Sequence, residues 1–277
     1  MSSTLLIGKP SETVRSIAQA LAANGCQCEQ VDGDAGAIRR LRRESFDVFI
    51  TDPDTTIEED LALIEELRDI RPGVKAVVLA PSTTPEEVIA ALRARVFVCI
   101  SAPFDAEQIA ELACKAAADS DWRTDIEVLA AQPDWVSLRA NCRMLTAERV
   151  VTFFRELHPE VPDTARDDLM LAFREILLNA MEHGADFDRH KVVEVSAVRT
   201  QRTLVFYVRD PGHGFQRDQL AHAAVANPAG VPGAHIEHRE ELGLRPGGYG
   251  ILLAQGVVDE LIYSEAGNEV LLIKHTA

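Results

Sequence analysis

Residues 175–184 read EILLNAMEHG and place polar side chains inside an otherwise apolar helical segment. At about 100° per residue, Glu175, Asn179 and Glu182 fall within about 60° of one another on one helix face, and Asp168 extends this stripe backward. The flanking positions carry Leu171, Leu178 and Ala172. A surface helix also has a polar face, but Asn is disfavoured inside helices. The segment alone therefore fits a surface helix and the wall of a cleft equally well.

Two glycine motifs follow this segment and favour the cleft. VRDPGHGF (208–215) has the spacing D-x-G-x-G, and RPGGYGILLAQG (245–256) has Gly248-x-Gly250 at a predicted helix start. Either motif alone is weak because turns use glycine routinely. The ordered set of E-x-x-x-N, D-x-G-x-G and G-x-G, with an insert between the last two, is specific.

This set resembles the ATP-binding fold shared by gyrase, Hsp90, histidine kinases and the type II mismatch-repair proteins. Within that superfamily, EHG and the ending GGYGILLAQGVVDELIYSEAGNEVLLIKH are most similar to the anti-sigma factor serine-protein kinases. The resemblance covers about residues 125–277 and implies an α/β sandwich that binds ATP with Mg²⁺.

The resemblance implies a role for each motif residue. Glu175 is the candidate catalytic base, Asn179 the Mg²⁺ ligand and Asp210 the acceptor for the adenine amino group. Gly212 and Gly214 allow the backbone to approach the base and ribose, while Gly248 and Gly250 open a helix that holds phosphates. The stretch 216–247 would be a lid, with Arg239 and Arg245 as candidates for contacting the terminal phosphate.

The resemblance does not assign a single role to two histidines, and the chain departs from the family at one further position. His183 could join the nucleotide site or pack at the helix end near the C-terminal dipole, and His213 is expected to fill an exposed turn position. The anti-sigma kinases usually carry Gly-Thr before the final strand, where this chain has Gly267-Asn268. The nucleotide contact made there in the family is therefore in question.

The first 121 residues alternate apolar strands with helical segments. The strands are expected at 4–8, 26–31, 46–52, 75–80 and 96–101, and the helices at 11–25, 35–45, 58–73, 85–95 and 105–120. Five strands alternating with five helices predict a doubly wound parallel sheet with its site at the carboxyl ends of the strands.

This half resembles the receiver domain of response regulators, and Asp52 ends the third strand where the family carries its phosphoacceptor. Other receiver positions are changed: Gly8 and Lys9 replace the acidic Mg²⁺ ligands, Ala80 replaces a hydroxyl residue and Ala102 replaces a Lys. Without these groups the charge on a transferring phosphoryl group is not stabilised. We expect a pseudo-receiver for docking or dimerisation, with Lys9 neutralising Asp52. Phosphorylation of Asp52 is the less favoured alternative.

The second half, residues 125–277, has a different order of predicted strands and helices. Two strands are expected within 126–142, then a helix at 145–158 with Thr146 as N-cap and the helix 163–183. Strands at 191–198 and 203–210, a helix from about 249, and strands near 258–264 and 269–275 complete the prediction.

Composition excludes several classes of protein. The chain has 277 residues, and its net charge of −16 provides no basic stripe for nucleic acid. It has no membrane-length apolar run and no secretory signal, so a cytoplasmic location is expected. Its five scattered cysteines are expected to be reduced thiols, with Cys26 and Cys28 on one strand face.

The preferred function is a cytoplasmic serine/threonine protein kinase of the anti-sigma type that acts on a sigma factor or anti-anti-sigma partner, with a homodimer as one expected assembly. A two-component histidine kinase is disfavoured because residues 105–160 contain only His158 as a phosphoacceptor candidate. A non-enzymatic, nucleotide-gated binding module is the main alternative.

Overall fold

The computed structural model describes residues 3–214 and 249–276. The chain folds as two compact units, Met1–Arg123 and Thr124–Ala277. Arg239, Arg245 and Gly248 lie outside the described residues.

The first unit is a five-stranded parallel sheet with helices between its strands. In chain order the elements are β1 (Ser3–Ile7), α1 (Glu12–Ala23), β2 (Gln27–Val31), α2 (Gly33–Leu41), β3 (Val48–Ile50), α3 (Ile57–Ile70), β4 (Lys75–Ala80), α4 (Pro85–Arg93), β5 (Val98–Ser101) and α5 (Ala106–Ala118). The strand order is β2-β1-β3-β4-β5, and all pairs are parallel. The predicted doubly wound fold is confirmed.

Polar side chains fix where several of these helices begin. Ser11 accepts a hydrogen bond from the Val14 N–H at the start of α1. Thr56 and Thr84 each form a reciprocal capping box at the starts of α3 and α4. Each cap satisfies backbone N–H groups that the first helical turn leaves without partners.

The core of the first unit lies on both faces of its sheet. Leu5, Leu6 and Ile7 of β1 are all 0% exposed, and Phe49 in β3 is equally buried. Helices cover both faces of a parallel sheet, so its central strands are apolar at successive positions. This burial holds the carboxyl ends of β1 and β3 side by side.

The cysteines of the first unit correct one prediction. Cys26 and Cys114 form a disulfide, with their Cα atoms 6.2 Å apart, so these two are not reduced thiols. Cys26 is buried just before β2, and Cys28 is half-buried within it. The pairing joins residues 88 apart in sequence, and their proximity arises from tertiary packing.

The second unit is a six-stranded antiparallel sheet with helices on one face. Its elements are β6 (Ile126–Gln132), β7 (Trp135–Asn141), α6 (Met144–Leu157), α7 (Asp163–His183), β8 (Val192–Arg199), β9 (Thr203–Arg209), α8 (Gly250–Val257), β10 (Glu260–Tyr263) and β11 (Glu269–His275). The strand order is β10-β11-β9-β8-β7-β6. This arrangement confirms the predicted α/β sandwich.

An aromatic cluster joins the helices of the second unit to its sheet. Phe154 of α6 packs edge-on against Phe173 of α7 and Phe206 of β9, with ring centroids 5.5 Å apart in both pairs. Phe173 and Phe206 are 4.8 Å apart, and all three side chains are 0% exposed. The cluster anchors α7, the helix that carries Glu175 and Asn179.

Helix α6 begins earlier than the sequence predicted. Arg143 occupies the N-cap position without a side-chain cap bond, and Thr146 lies inside the helix at 0% exposure. The Thr146 hydroxyl has no hydrogen-bond partner in the described part of the chain. The predicted N-cap role of Thr146 is therefore wrong, because tertiary burial extends the helix through Met144 despite the poor cap.

Anchored side chains flank the junction of the two units. Trp122 is buried in the first unit and packs edge-on against Phe97, with ring centroids 5.9 Å apart. Asp125 is 1% exposed in the second unit and pairs with Arg143 at 2.7 Å. Arg149 lies 3.9 Å from the same carboxylate oxygen, so two cations neutralise this buried charge.

No helix within the described ranges is both long enough and apolar enough to cross a membrane.

Candidate nucleotide site

Helix α7 brings Glu175 and Asn179 to the start of α8. A Cβ added to Gly250 would lie 2.9 Å from Glu175 Oε2 and 3.4 Å from Asn179 Nδ2. A larger residue at position 250 would displace the carboxylate. The structure thus places the polar stripe of α7 against the N-terminus of another helix.

The N-terminus of α8 lies against this stripe. Its N-cap residue, Tyr249, makes no side-chain cap hydrogen bond within the described residues. The first N–H groups of a helix have no intrahelical acceptor, and the helix dipole makes this end positive. The arrangement can bind an anion beside Glu175 and Asn179.

Arg174 is a neighbour of Glu175 that the sequence reasoning missed. Its Nη1 lies 3.2 Å from Glu175 Oε1, and the side chains of Arg174 and Glu175 are 35% and 21% exposed, respectively. One carboxylate oxygen therefore faces Arg174 and the other faces Gly250. No sequence signal indicated this contact, because adjacent helical residues do not usually face each other.

A second group of residues forms around Asp210, just after β9. The Gly212 N–H donates to Asp210 Oδ1 at 2.8 Å. A Cβ added to Gly184 would lie only 2.2 Å from Asp210 Cγ. The carboxylate therefore packs directly over the residue that follows α7, where only glycine leaves enough room.

Burial raises the pKa of Asp210, while the Gly212 N–H opposes that shift by stabilising the carboxylate. The hydrogen bond from Gly212 goes to Oδ1, and Oδ2 is the second acceptor oxygen of this carboxylate. Gly184 follows Asn179 by five positions, which corresponds to about 7.5 Å along the direction of α7. The Asp210 and Glu175 groups thus lie at two ends of one elongated site.

The loop before β11 completes the Asp210 end of the site. Asn268 Nδ2 donates to the Gly212 carbonyl at 3.4 Å, and the Asp210 N–H donates to the Asn268 carbonyl at 3.0 Å. Gly214 has φ +75°, and a Cβ there would lie 1.9 Å from the Ala266 carbonyl oxygen. Asn268, where the resembling family has Thr, thus braces the D-x-G-x-G turn.

The histidines lie at the margins of this site. His183 is the last residue of α7 and is exposed, and His213 is exposed between the two glycines. The exposure of His213 agrees with the expectation of a turn position. His158 is 2% exposed and lies at the C-cap of α6, so it is not accessible as a phosphoacceptor.

The first unit places Asp52 beside Gly8 at the carboxyl end of its sheet. A Cβ added to Gly8 would lie 3.5 Å from Asp52 Cγ, and the Asp54 N–H donates to Asp52 Oδ1 at 3.1 Å. Lys9 is exposed, and no ion pair joins it to Asp52, although both residues are described. The expected neutralisation of Asp52 by Lys9 is therefore not seen.

Asp60 is a buried acid near Asp52 that the sequence reasoning missed. It is 2% exposed and accepts hydrogen bonds from Thr51 Oγ1 at 2.7 Å and Thr55 Oγ1 at 2.8 Å. Burial raises its pKa to about 7, and the charges of Asp34 and Asp52 act in the same direction. The sequence did not single out Asp60, because it is one of three consecutive acidic residues in the first turn of α3.

Residues 3–214 and 249–276 contain no cluster of three or more His, Cys, Asp or Glu side chains that could hold a metal ion. A divalent ion at either site would therefore need ligands beyond such side chains, such as amide oxygens, phosphates or water.

Solved receiver proteins resemble the N-terminal part of the chain. A response regulator from Thermotoga maritima is 24% identical over 43% of this chain and all of its own, with a TM-score of 0.39. A response regulator receiver protein from Pseudomonas putida is 22% identical over 41% of this chain and 96% of its own, with a TM-score of 0.38. A response regulator from Burkholderia pseudomallei with a phosphorylated aspartic acid is 20% identical over 44% of this chain and 69% of its own, with a TM-score of 0.37.

The second unit has a match at the level of a protein family. No protein with a curated description matches the chain. Residues 138–274, which include Glu175, Asn179, Asp210 and Gly250, match the family described as Histidine kinase-like ATPase domain.

Proposed function

We propose that the chain is an ATP-dependent serine/threonine protein kinase of the anti-sigma type. The observation that carries the proposal is the position of the Glu175 carboxylate, directly against the helix N-terminus at Gly250. A candidate base and a candidate phosphate-binding site thus lie next to each other. The match of residues 138–274 to an ATPase domain family supports this assignment.

The Asp210 group fits adenine. Asp210 Oδ2 can accept a hydrogen bond from the adenine amino group, while Gly212 holds Oδ1. The absence of side chains at Gly184 and Gly212 lets the Asp210 carboxylate and the turn backbone pack closely against the end of α7, which fixes the carboxylate in place. A half-buried carboxylate selects a hydrogen-bond donor at the purine 6-position, where adenine has an amino group and guanine has a carbonyl oxygen.

The Glu175 end fits the phosphates. Asn179 presents Nδ2 toward Gly250, which leaves its amide oxygen as the atom available to Mg²⁺. A bound Mg²⁺ would offset the negative charge of the phosphates. The N–H groups at the start of α8 would hold phosphate oxygens, so the residues present fit both the nucleotide and the ion.

Glu175 would act on the hydroxyl of the partner protein. The hydroxyl oxygen of a serine or threonine bonds to the terminal phosphorus of ATP, and the bond from that phosphorus to the bridging oxygen breaks as ADP leaves. The hydroxyl proton passes to Glu175. Phosphoryl transfer depends mainly on positioning and charge stabilisation, and Arg174 holds the other Glu175 oxygen at 3.2 Å.

The partner would be a sigma factor or a small anti-anti-sigma protein, encountered in the cytoplasm. The altered receiver positions support a pseudo-receiver that regulates or docks, because Gly8 beside Asp52 provides no acidic Mg²⁺ ligand. A net charge of −16 suits a partner with a basic surface better than nucleic acid.

The test is phosphotransfer to candidate anti-anti-sigma proteins from radiolabelled ATP and Mg²⁺, with ATP affinity measured by calorimetry. Glu175→Gln should bind ATP normally yet lose transfer by about 10²–10⁴-fold, the usual contribution of a general base. The matched control is Glu182→Gln, the same change two turns further along α7, which should retain transfer.

Three other outcomes are informative. ATP binding without transfer to any candidate protein would favour the nucleotide-gated binding module. Equal transfer by the Glu175→Gln variant and the wild-type chain would remove Glu175 from the chemistry. A chain that does not bind ATP would contradict both functions.

A further inference from the structure

The first unit exposes no large apolar side chain within residues 3–123. The large apolar side chains exposed elsewhere in the described chain, such as Trp135 and Leu171, lie in the second unit. Specific protein interfaces usually have an apolar centre. A partner of the first unit would therefore be held mainly by charged and polar groups.

Arginines gather at the amino edge of the first unit's sheet, where its strands begin. Each helix runs back from the carboxyl end of one parallel strand to the amino end of the next, so the ends of α2, α3 and α4 meet at this edge. Eight arginines lie in the last turns of these helices or within two residues after them: Arg39, Arg40, Arg42, Arg43, Arg68, Arg71, Arg93 and Arg95. They are scattered along the sequence, so only the fold brings them together.

Hydrogen bonds show that these helix ends adjoin. Ser3 Oγ donates to the Ser45 carbonyl at 3.3 Å, which places the segment after α2 beside the start of β1. Arg68 donates through Nη1 to the Ala94 carbonyl and through Nη2 to the Arg95 carbonyl at 2.6 Å, which joins the end of α3 to the end of α4. The exposed arginines of this edge form what we call the arginine strip: Arg39, Arg42, Arg43, Arg71, Arg93 and Arg95.

Arg123 adds a cation at the α4 end of the arginine strip. Its guanidinium carbon lies 5.6 Å from the ring centroid of Trp122, which packs against Phe97, two residues after Arg95. Burial lowers the pKa of Arg68, and the charges of Arg123 and Arg95 lower it further. Three cations thus lie close enough to repel one another, and a bound anion would relieve this repulsion.

Few acids neutralise this edge. Arg40 pairs with Glu29 and, at 2.8 Å, with Glu44. Within the described chain no acid forms an ion pair with Arg39, Arg42, Arg43, Arg71, Arg95 or Arg123. The other acids at the same edge are Asp47, Asp69, Asp119 and Asp121. One cation near each helix end already balances the helix dipole, so the arginine strip carries more positive charge than the helices require.

We propose that the arginine strip binds a short acidic segment of a partner protein. A guanidinium binds a carboxylate through two parallel hydrogen bonds, so the arginine strip suits Asp and Glu side chains. Packed helices lie about 8–10 Å apart, so the ends of α2 and α4 are about 20 Å apart. An extended peptide of about six residues covers that length at about 3.3 Å per residue. The proposal is independent of the kinase function, since it rests on the topology and charge of the first unit alone.

A longer polyanion fits this edge less well. Duplex nucleic acid carries one charge about every 1.7 Å and would continue beyond the arginine strip. It would then face the rest of a chain whose net charge is −16. The opposite edge of the sheet, where α3 and α4 begin, carries acids in the first helical turns: Glu58, Glu59, Asp60, Glu86 and Glu87. A short segment ends with the arginine strip and avoids this repulsion.

The test measures the binding of a fluorescently labelled oligoglutamate peptide to the full chain by anisotropy over a salt series. Reversing two charges at the end of α2, with Arg42→Glu and Arg43→Glu together, should raise the dissociation constant at least about tenfold. Arg71→Glu, at the end of α3, should also raise it. Binding to the wild-type chain should weaken as salt rises, because salt screens exposed charges. Arg15→Glu, which reverses an exposed arginine of α1, is the matched control for Arg71→Glu and should leave binding unchanged.

A urea midpoint equal to that of wild type shows that a variant folds. Arg71→Gln removes the charge without placing an acid at a helix end, so it tests the same contact if Arg71→Glu unfolds the chain. A wild-type chain that does not bind the peptide would overturn the proposal, as would a dissociation constant that the changes at α2 or at α3 leave unchanged. Equal weakening by Arg15→Glu would overturn it too, because binding would then follow net charge alone. Tighter binding of a single-stranded oligonucleotide, or of vesicles containing phosphatidylglycerol, than of the peptide would refute the choice of an acidic protein segment.

Discussion

Gly184→Ala tests how closely Asp210 packs over the end of α7. Gly184 has φ −84° and ψ −24°, which alanine adopts without strain, so the substitution acts only through its added carbon. That carbon would lie 2.2 Å from Asp210 Cγ, against an ordinary contact of about 3.4 Å. Asp210 must therefore move by about 1.2 Å, the difference between the two distances.

A shift of this size removes the carboxylate from its place beside adenine. A hydrogen bond to a charged group contributes about 1.5–3 kcal/mol, so ATP affinity should fall about 10- to 150-fold. Crowding should also destabilise the fold by about 1–3 kcal/mol. Calorimetric titration with ATP and unfolding in urea measure the two effects separately.

Gly256→Ala is the matched control for this substitution. Gly256 lies in α8, and within the described residues no atom outside its own helical segment comes within 4 Å of its Cβ position. Alanine there should leave ATP affinity unchanged and stabilise the helix by about 0.5–1 kcal/mol. Wild-type ATP affinity in Gly184→Ala would refute the reasoning, because it would mean that the position of Asp210 does not govern binding.

Three further substitutions test stability. Burial raises the pKa of Asp60 from 3.8 to about 7, so the folded chain keeps a proton that the unfolded chain releases between these values. The free energy of unfolding should therefore fall by at most about 4 kcal/mol as pH rises from about 4 to about 7. In urea unfolding over a pH series, the free energy of unfolding of Asp60→Asn should depend less on pH than that of wild type. Gly214→Ala should lower stability by about 1–3 kcal/mol, since its Cβ would lie 1.9 Å from the Ala266 oxygen; an unchanged thermal midpoint would contradict that geometry. Phe154→Ala should cost about 3–5 kcal/mol in urea unfolding, and a loss below about 1 kcal/mol would show that the aromatic cluster does not hold the helices against the sheet.

Much of the fold could be predicted because the apolar residues that become buried follow the periodicity of the helix or strand in which they lie. The strand expected at 75–80 matches β4 to the residue, since a central parallel strand is apolar at successive positions. The helix expected at 163–183 matches α7 at both ends. These patterns are local, so one sequence is enough to find them.

Tertiary contacts explain what the sequence missed in the fold. Thr146 has the chemistry of an N-cap, but its burial within the unit moved the helix start to Met144. The pairing of Cys26 with Cys114 depends on how α5 packs beside α1. No spacing rule connects two residues 88 apart in a chain.

The residue types of the candidate site could be predicted from the sequence, but the contacts between those residues could not. The stripe on α7 identified Glu175 and Asn179, and their approach to Gly250 emerged only from the packing of α7 against α8. Gly184 looked like an ordinary helix end. Its role as the surface beneath Asp210 has no local signature, because its backbone angles are those of any residue.

The junction between the two units restricts how this protein can be recombined. Trp122 is the last side chain buried in the first unit, and Asp125 is tied to Arg143 in the second. Only Arg123 and Thr124 lie between them. An exchange of the first unit for another would succeed only if the crossover fell within these two residues. A crossover before Trp122 would remove its ring contact with Phe97, and one after Asp125 would leave Arg143 and Arg149 without their buried acid.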